Sequence, residues 1–147
     1  MSARVKKVTL KGTLLEDKEL FAGPLVLKDT LCAEDIVFIK LAEEVITEYD
    51  QRDLIYPIRD YDVPSHMSSF QQVIKQSLLA LTRGSTVFVG CFGGLGRTGL
   101  FLSCMCKELG IENPVTYVRE IYHPGAVETK EQENFVFSYP ISSLFLK

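Results

Sequence analysis

The stretch VFVGCFGGLGRTG runs from Val87 to Gly99. An apolar, β-branched run ends at Cys91. Gly93, Gly94 and Gly96 fill most of the gap to Arg97, Thr98 follows at once, and a helix-like apolar run opens at Gly99. Read outward, this is a buried strand, a tight loop and a helix N-terminus, which is the local unit of an α/β domain. Glycines let successive N–H groups converge on an anion. The helix aims its positive end at the same point, and Arg97 offers a planar fork of donors that a lysine lacks. A loop of this composition is suited to a tetrahedral oxyanion with a sulfur beneath it.

That arrangement has a chemistry. Cysteine attacks only as its thiolate, and the helix end, the amide nest, Arg97 and the Thr98 hydroxyl all favour an anion there. A phosphate would fill the nest with Arg97 clamping two of its oxygens. Charge spreading over the equatorial oxygens as the P–O bond breaks would meet donors already in place. Cys91 would attack in line, and water would hydrolyse the phosphocysteine. The leaving oxygen needs a proton. Asp60 is the expected general acid, in the loop after an apolar stretch at Leu54–Ile58 and stiffened by Pro64, with Asp62 as its local rival. The same acid would then serve as base toward water.

The rest of the chain gives this loop an ordinary globular setting. It has 147 residues, 46% hydrophobic and 24% charged, enough for a single domain spanning 1–147 with one core. The net charge is −3 and the sixteen Lys and Arg are scattered, so no nucleic-acid face is expected. Met1 to Gly12 carries charge without an apolar core, so no secretory leader is expected, and no run approaches membrane-spanning length. Cys32, Cys91, Cys104 and Cys106 have neither disulfide-framework nor zinc spacing. The expectation is a reduced, cytoplasmic, monomeric protein with no cofactor and no bound metal.

Local signals give the elements. Val8–Leu10 and Leu14–Leu15 read as short strands around Gly12, Gly23–Pro24 as a turn, and Leu25–Leu27 as a strand. Ala33 to Tyr49 has helical spacing, with Ile36, Phe38, Ile39, Leu41, Ala42, Val45 and Ile46 on one side and Glu43, Glu44 and Glu48 opposite. Asp50 to Asp53 reads as a turn, and Leu54–Ile58 as a strand that Pro57 confines to an edge or an end. A helix from Phe70 to Leu81, capped by Ser68 or Ser69, stops at Arg83–Ser85. Thr86–Val89 is a buried parallel strand. Helices follow at Thr98–Leu109, Pro114–Tyr122 and Lys130–Tyr139, with Gly110 ending the first of them. Strands first and helices later, with strand–loop–helix between, predict a three-layer α/β domain: a central, mostly parallel twisted sheet flanked by helices.

Blander readings compete. Gly94-Leu-Gly96-Arg-Thr-Gly99 also fits a dinucleotide fingerprint, but that reading explains neither Cys91 nor Arg97, and no lysine precedes Thr98 as a nucleotide P-loop requires. Cys91 alone reads as an inert buried thiol. Cys104 and Cys106 read as core, Cys32 as core or surface, and His66 and His123 as surface residues. Phe135–Leu146 reads as core packing.

At these residues the chain resembles the protein tyrosine phosphatase superfamily, whose signature is His-Cys, five residues, Arg, then Ser or Thr. Its size resembles the compact dual-specificity branch. The likeness extends to the Asp60–Pro64 spacing and to GAVETKEQENF at Gly125–Phe135. It is strong from Thr86 to Phe135, fair from Ile55 to Ser65 and negligible over residues 1–50. The resemblance implies a dual-specificity-phosphatase-like fold, Cys91 as nucleophile, and Phe92, Gly93, Gly94, Leu95, Gly96 and Arg97 as the phosphate-binding loop. It also implies Asp60 as general acid and Gln132 as a residue that positions the hydrolytic water. The implied substrate is a phosphorylated protein, at tyrosine and also at serine or threonine. A silent phosphate-binding module and a phosphatase of lipid, nucleotide or RNA-end phosphates are the alternatives. Two positions depart from the pattern: Gly90 stands where the family has histidine, and Glu128 where many relatives have glutamine.

Overall fold

The computed structural model describes residues 4–31, 35–45, 52–142 and 144–145. Five strands form one sheet: β1 (Lys6–Lys7), β2 (Leu20–Pro24), β3 (Ile36–Ala42), β4 (Leu54–Ile58) and β5 (Thr86–Cys91), in the order β1-β2-β5-β3-β4. β5 lies between β2 and β3 and runs parallel to both, β4 is parallel to β3, and β1 alone is antiparallel. Four helices follow β4 in sequence or flank β5: α1 (Met67–Thr82), α2 (Gly96–Glu108), α3 (Pro114–Ile121) and α4 (Lys130–Ser138).

Alternation along the strands divides the sheet into two faces. Val87, Val89 and Cys91 on β5, with Val37, Ile39 and Leu41 on β3, join the main core. All four α-helices pack on this face and contribute Phe70, Phe101, Val118 and Val136. Phe70 is the hub, making edge-to-face contacts with Tyr56, Phe101, Phe135 and Tyr139 at centroid distances of 5.3–6.3 Å. Such pairs stabilise by about 0.5–1.5 kcal/mol beyond the area they bury. On the opposite face, Leu25, Ile36 and Phe88 form a smaller cluster under a 3-10 helix at Leu25–Thr30. Lys40 and Asp53 close a buried ion pair at 2.7 Å. The three-layer architecture therefore holds, with a thick helical layer on one side and a thin cover on the other. Among the described residues, no helix is long and apolar enough to cross a membrane.

The first half of the chain departs from its sequence reading. The helix expected over Ala33–Tyr49 is replaced by β3 and a short 3-10 turn at Glu43–Val45, while 33, 34 and 46–49 lie outside the described residues. β3 is buried on both faces, so its apolar residues satisfy helical spacing as readily as strand spacing; β-branched Ile36, Val37 and Ile39 favour the strand. Leu25–Leu27 is the 3-10 helix rather than a strand, and Gly23–Pro24 ends β2 rather than turning. Val8, Leu10 and Leu15 are buried but lie outside any strand, and β1 sits one residue before Val8. Of the expected turn at Asp50–Asp53, residues 50 and 51 lie outside the described residues, as does Cys32.

The second half follows expectation. β4 has its expected bounds and is the edge strand, with Pro57 exposed. α1 starts three residues early, with His66 rather than a serine at its N-cap. Cys104 and Cys106 are buried, and burial pushes the Cys106 thiol up to about 12. The Phe135–Leu146 stretch is core only in part. Val136, Tyr139 and Phe145 are buried, whereas Phe137 and Leu144 face solvent.

Candidate active site

β5 delivers Cys91 to the C-terminal end of the parallel sheet, where open α/β sheets place their ligands. The chain then turns through Phe92–Leu95 into α2, whose first residues are Gly96, Arg97 and Thr98. Gly94 makes the turn possible: its φ is +74°, and a Cβ there would lie 2.7 Å from Pro24 N and 2.8 Å from Gly23 C, both backbone atoms of β2. The Gly99 amide closes the first turn on the Leu95 carbonyl at 2.8 Å. The helix N-terminus thus stands beside the sulfur, and the Thr98 hydroxyl donates to Cys91 Sγ at 3.0 Å.

Arg97 is 2% exposed, and its contacts are directional. Nη1 donates to Glu44 Oε1 and to the Ile58 carbonyl at the end of β4, each at 2.7 Å, and Nη2 donates to Glu44 Oε2 at 2.7 Å. Glu44 therefore grips the guanidinium end-on. A guanidinium carries five N–H groups, so the Nε–H and the second Nη2–H remain on its other edge as a side-on fork. Asp60 Oδ1 approaches Nη2 at 3.3 Å. Burial works against the charge on Arg97, but the Glu44 hydrogen bond and the nearby Cys91, Glu44 and Asp60 outweigh it and hold its pKa above the ordinary value. The Arg97 hydrogen bond in turn holds the Glu44 carboxyl below its ordinary range, against a smaller desolvation effect.

The two aspartates separate in space. Asp62 Oδ1 accepts from the amide of Val63 at 2.8 Å, a turn contact within its own loop, whereas Asp60 faces Arg97. The backbone of Tyr61 between them is left-handed, with φ +64°. Gln132 is fully buried, and both ends of its amide are engaged. Its Oε1 accepts from the Glu128 and Thr129 amides at 2.8 and 3.2 Å in a capping box that starts α4, and its Nε2 donates to the Asp62 carbonyl at 3.1 Å. It ties α4 to the acid loop. The structure thus brings together Cys91, Thr98, Arg97, Asp60 and the loop 92–96, with Gln132 at their border. Among the described residues no group of three or more His, Cys, Asp or Glu is placed to hold a metal ion.

No family-level sequence pattern matches the chain. A solved structure of kinase-associated phosphatase, with serine in place of its catalytic cysteine, aligns with a TM-score of 0.74 over 92% of this chain and 93% of that one, at 18% identity. The chain has the dual-specificity phosphatase fold. In sequence, it is 41% identical over 96 residues to an uncharacterized protein of Methanocaldococcus jannaschii, covering 64% of this chain and 65% of that protein. It is also 28% identical over 141 residues to a protein of Invertebrate iridescent virus 6 provisionally named a tyrosine phosphatase, covering 85% of this chain and 52% of that one. The matches span between about half and just under two thirds of these relatives' lengths.

Within this phosphatase fold three residues matter that sequence reasoning missed. Glu44 was placed on the solvent face of a helix that does not form. Tyr122 donates to the Gly94 carbonyl at 2.6 Å and so pins the loop from beyond α3. Arg119 donates to the Ala126 and Val127 carbonyls at 2.8 and 2.7 Å, fixing the turn that carries Glu128. Glu44 and Tyr122 have no local sequence signal, because their partners are segments that only the fold brings together, while Arg119 closes a loop seven and eight residues long.

The missing histidine has a packing explanation. A Cβ at Gly90 would lie 2.9 Å from Phe88 Cε1, 3.0 Å from the Gly23 carbonyl oxygen and 3.2 Å from Leu25 Cα. Two of these are backbone atoms of β2 and of the 3-10 helix that follows it, so a side chain here requires that backbone to give by a few tenths of an ångström. Gly90→Ala is expected to destabilise the protein by about 1–3 kcal/mol, the usual cost of overpacking. Urea unfolding measures this, and a variant as stable as the wild type would show that the strand and its cover can separate freely.

Proposed function

We propose that this chain is a cysteine-dependent phosphatase of phosphorylated proteins, acting on phosphotyrosine and also on phosphoserine and phosphothreonine. The observation that carries the reading is the pairing around Arg97: Glu44 occupies the end of the guanidinium and leaves its side-on edge to a ligand, with Asp60 3.3 Å from Nη2 and the Cys91 sulfur near enough to act on its charge. A fork of two parallel N–H donors matches two oxygens of a phosphoryl group. Its orientation is fixed before substrate arrives, so little reorganisation is needed as charge develops.

The reaction then proceeds in balanced steps. Cys91 Sγ attacks phosphorus as the ester P–O bond breaks, and Asp60 gives its proton to the departing oxygen. Water next attacks the phosphocysteine, the S–P bond breaks, and inorganic phosphate leaves with the thiolate restored. Phe92, next to the nucleophile and 55% exposed, offers an aromatic surface at the mouth. That favours an aryl or peptide substrate over a polyanionic headgroup, which needs added cations. The provisional designation of the viral relative as a tyrosine phosphatase agrees with this reading.

The test is hydrolysis of an aryl phosphate, then of phosphotyrosine, phosphoserine and phosphothreonine peptides against phosphoinositides and nucleotides. Peptide turnover above lipid and nucleotide turnover is expected. Phosphate binding with no turnover of any of them would mark a silent module instead. Asp60→Ala separates the role of the acid: kcat/KM is expected to fall about 10²–10⁴-fold for alkyl or poorly acidic leaving groups and far less for p-nitrophenol. An equal loss across a series of leaving groups would remove Asp60 from proton transfer.

A further inference from the structure

We infer that Glu128 is the residue that takes the proton of the hydrolytic water in the second step; this rests on the phosphatase reading above. Three observations converge. First, Glu128 lies against the phosphate-binding loop: its carboxylate carbon is 3.1 Å from the point where a Cβ on Gly96 would sit, and its Oε1 is closer still, so the carboxylate rests directly over Gly96. Gly96 is the first residue of α2, adjacent to Arg97. Second, Gln132 is buried, with its Oε1 on two backbone amides and one Nε2 hydrogen on the Asp62 carbonyl. Its amide can donate a hydrogen bond to water but cannot take a proton from it. Third, the Glu128 side chain is exposed, and no hydrogen bond or ion pair holds its carboxylate among the described residues. Asp60, by contrast, has the Arg97 cation at 3.3 Å.

The two carboxylates then divide the labour. Asp60, on the side of β4, serves the leaving group in the first step. Glu128, carried by the turn that Arg119 fixes, serves the incoming water in the second. Water oxygen bonds to phosphorus, its proton passes to a Glu128 oxygen, and the S–P electron pair returns to Cys91. No co-reactant besides water is required.

This division predicts a kinetic signature that a purely structural role would not give. In rapid-mixing experiments with p-nitrophenyl phosphate, Glu128→Gln keeps the size and polarity of the side chain but cannot accept the proton. Its kcat is expected to fall about 10²-fold, in the range of general-base effects. Its kcat/KM, which reports only the steps through phenol release, should stay near the wild-type value. A burst of nitrophenol approaching one per enzyme should appear, with the phosphoryl group trapped on Cys91. Asp60→Asn should show the converse, losing kcat/KM on poor leaving groups with no burst. A Glu128→Gln enzyme with unchanged or raised kcat, or with kcat and kcat/KM falling together and no burst, would overturn the assignment while leaving the phosphatase reading intact. An inactive wild type would overturn both.

Discussion

Cys91→Ser is expected to abolish hydrolysis of every substrate while leaving the protein folded. The swap exchanges one atom in a buried site and keeps the acceptor for the Thr98 hydroxyl, which sits 3.0 Å from Sγ. A serine oxygen, however, holds its proton, and the contact that position 91 makes is to a hydroxyl donor rather than to a base. Residue 90, directly before it, is a glycine and brings no base to take that proton. Loss of a covalent nucleophile in other hydrolases costs about 10⁶-fold in kcat, and a drop of that order is the expected size here. Phosphate or vanadate affinity should survive, because the amides and Arg97 remain. Turnover retained within tenfold would mean that the sulfur does not bond to phosphorus.

Arg97→Lys carries the second large effect. It keeps the charge and removes the geometry. An ammonium cannot span both Glu44 oxygens and the Ile58 carbonyl, which Arg97 now holds at 2.7 Å each, and cannot present two parallel donors on a second edge. Arginines that stabilise phosphoryl transfer contribute about 10³–10⁵ in kcat, and a loss in that range is expected on an aryl phosphate, together with weaker vanadate inhibition. The variant should also unfold at lower urea, because Glu44 loses a bidentate partner that is itself buried. If Arg97→Lys kept kcat and changed only stability, Arg97 would be a strut between β4 and the Glu43–Val45 turn and not a phosphate clamp.

These two effects were readable from the chain because the loop is contiguous. Cys91, the glycines, Arg97 and Thr98 lie within one strand–turn–helix unit, where spacing alone sets geometry. The same holds for α2 and α3, whose ends Gly110 and Pro114 mark, while the capping box that opens α4 is a signal the sequence reading did not use. β4 was legible because Pro57 fixes where it can sit. The first half was not. β3 is buried on both faces, and a strand buried on both faces has no alternation to distinguish it from a helix. That one error hid Glu44, because a carboxylate on the outer face of a helix reads as solvated. Tyr122 was invisible for a related reason: its partner, the Gly94 carbonyl, is chosen by tertiary packing. Gln132 was placed near the site by resemblance, and the structure adds that both ends of its amide are held by backbone groups. In the acid loop Asp60 was expected ahead of Asp62; the structure adds that Asp62 accepts from the Val63 amide while Asp60 faces Arg97.

The account stands on a covalent bond between the Cys91 sulfur and phosphorus. The most direct measurement is rapid quenching of the enzyme during turnover of an aryl phosphate, followed by mass spectrometry of the peptide that contains Cys91. One phosphoryl group on that cysteine, present during turnover and absent once substrate is exhausted, is the predicted result. Steady turnover with an unmodified Cys91 and the phosphoryl group on no residue of the chain, in wild type and in Glu128→Gln alike, would contradict it.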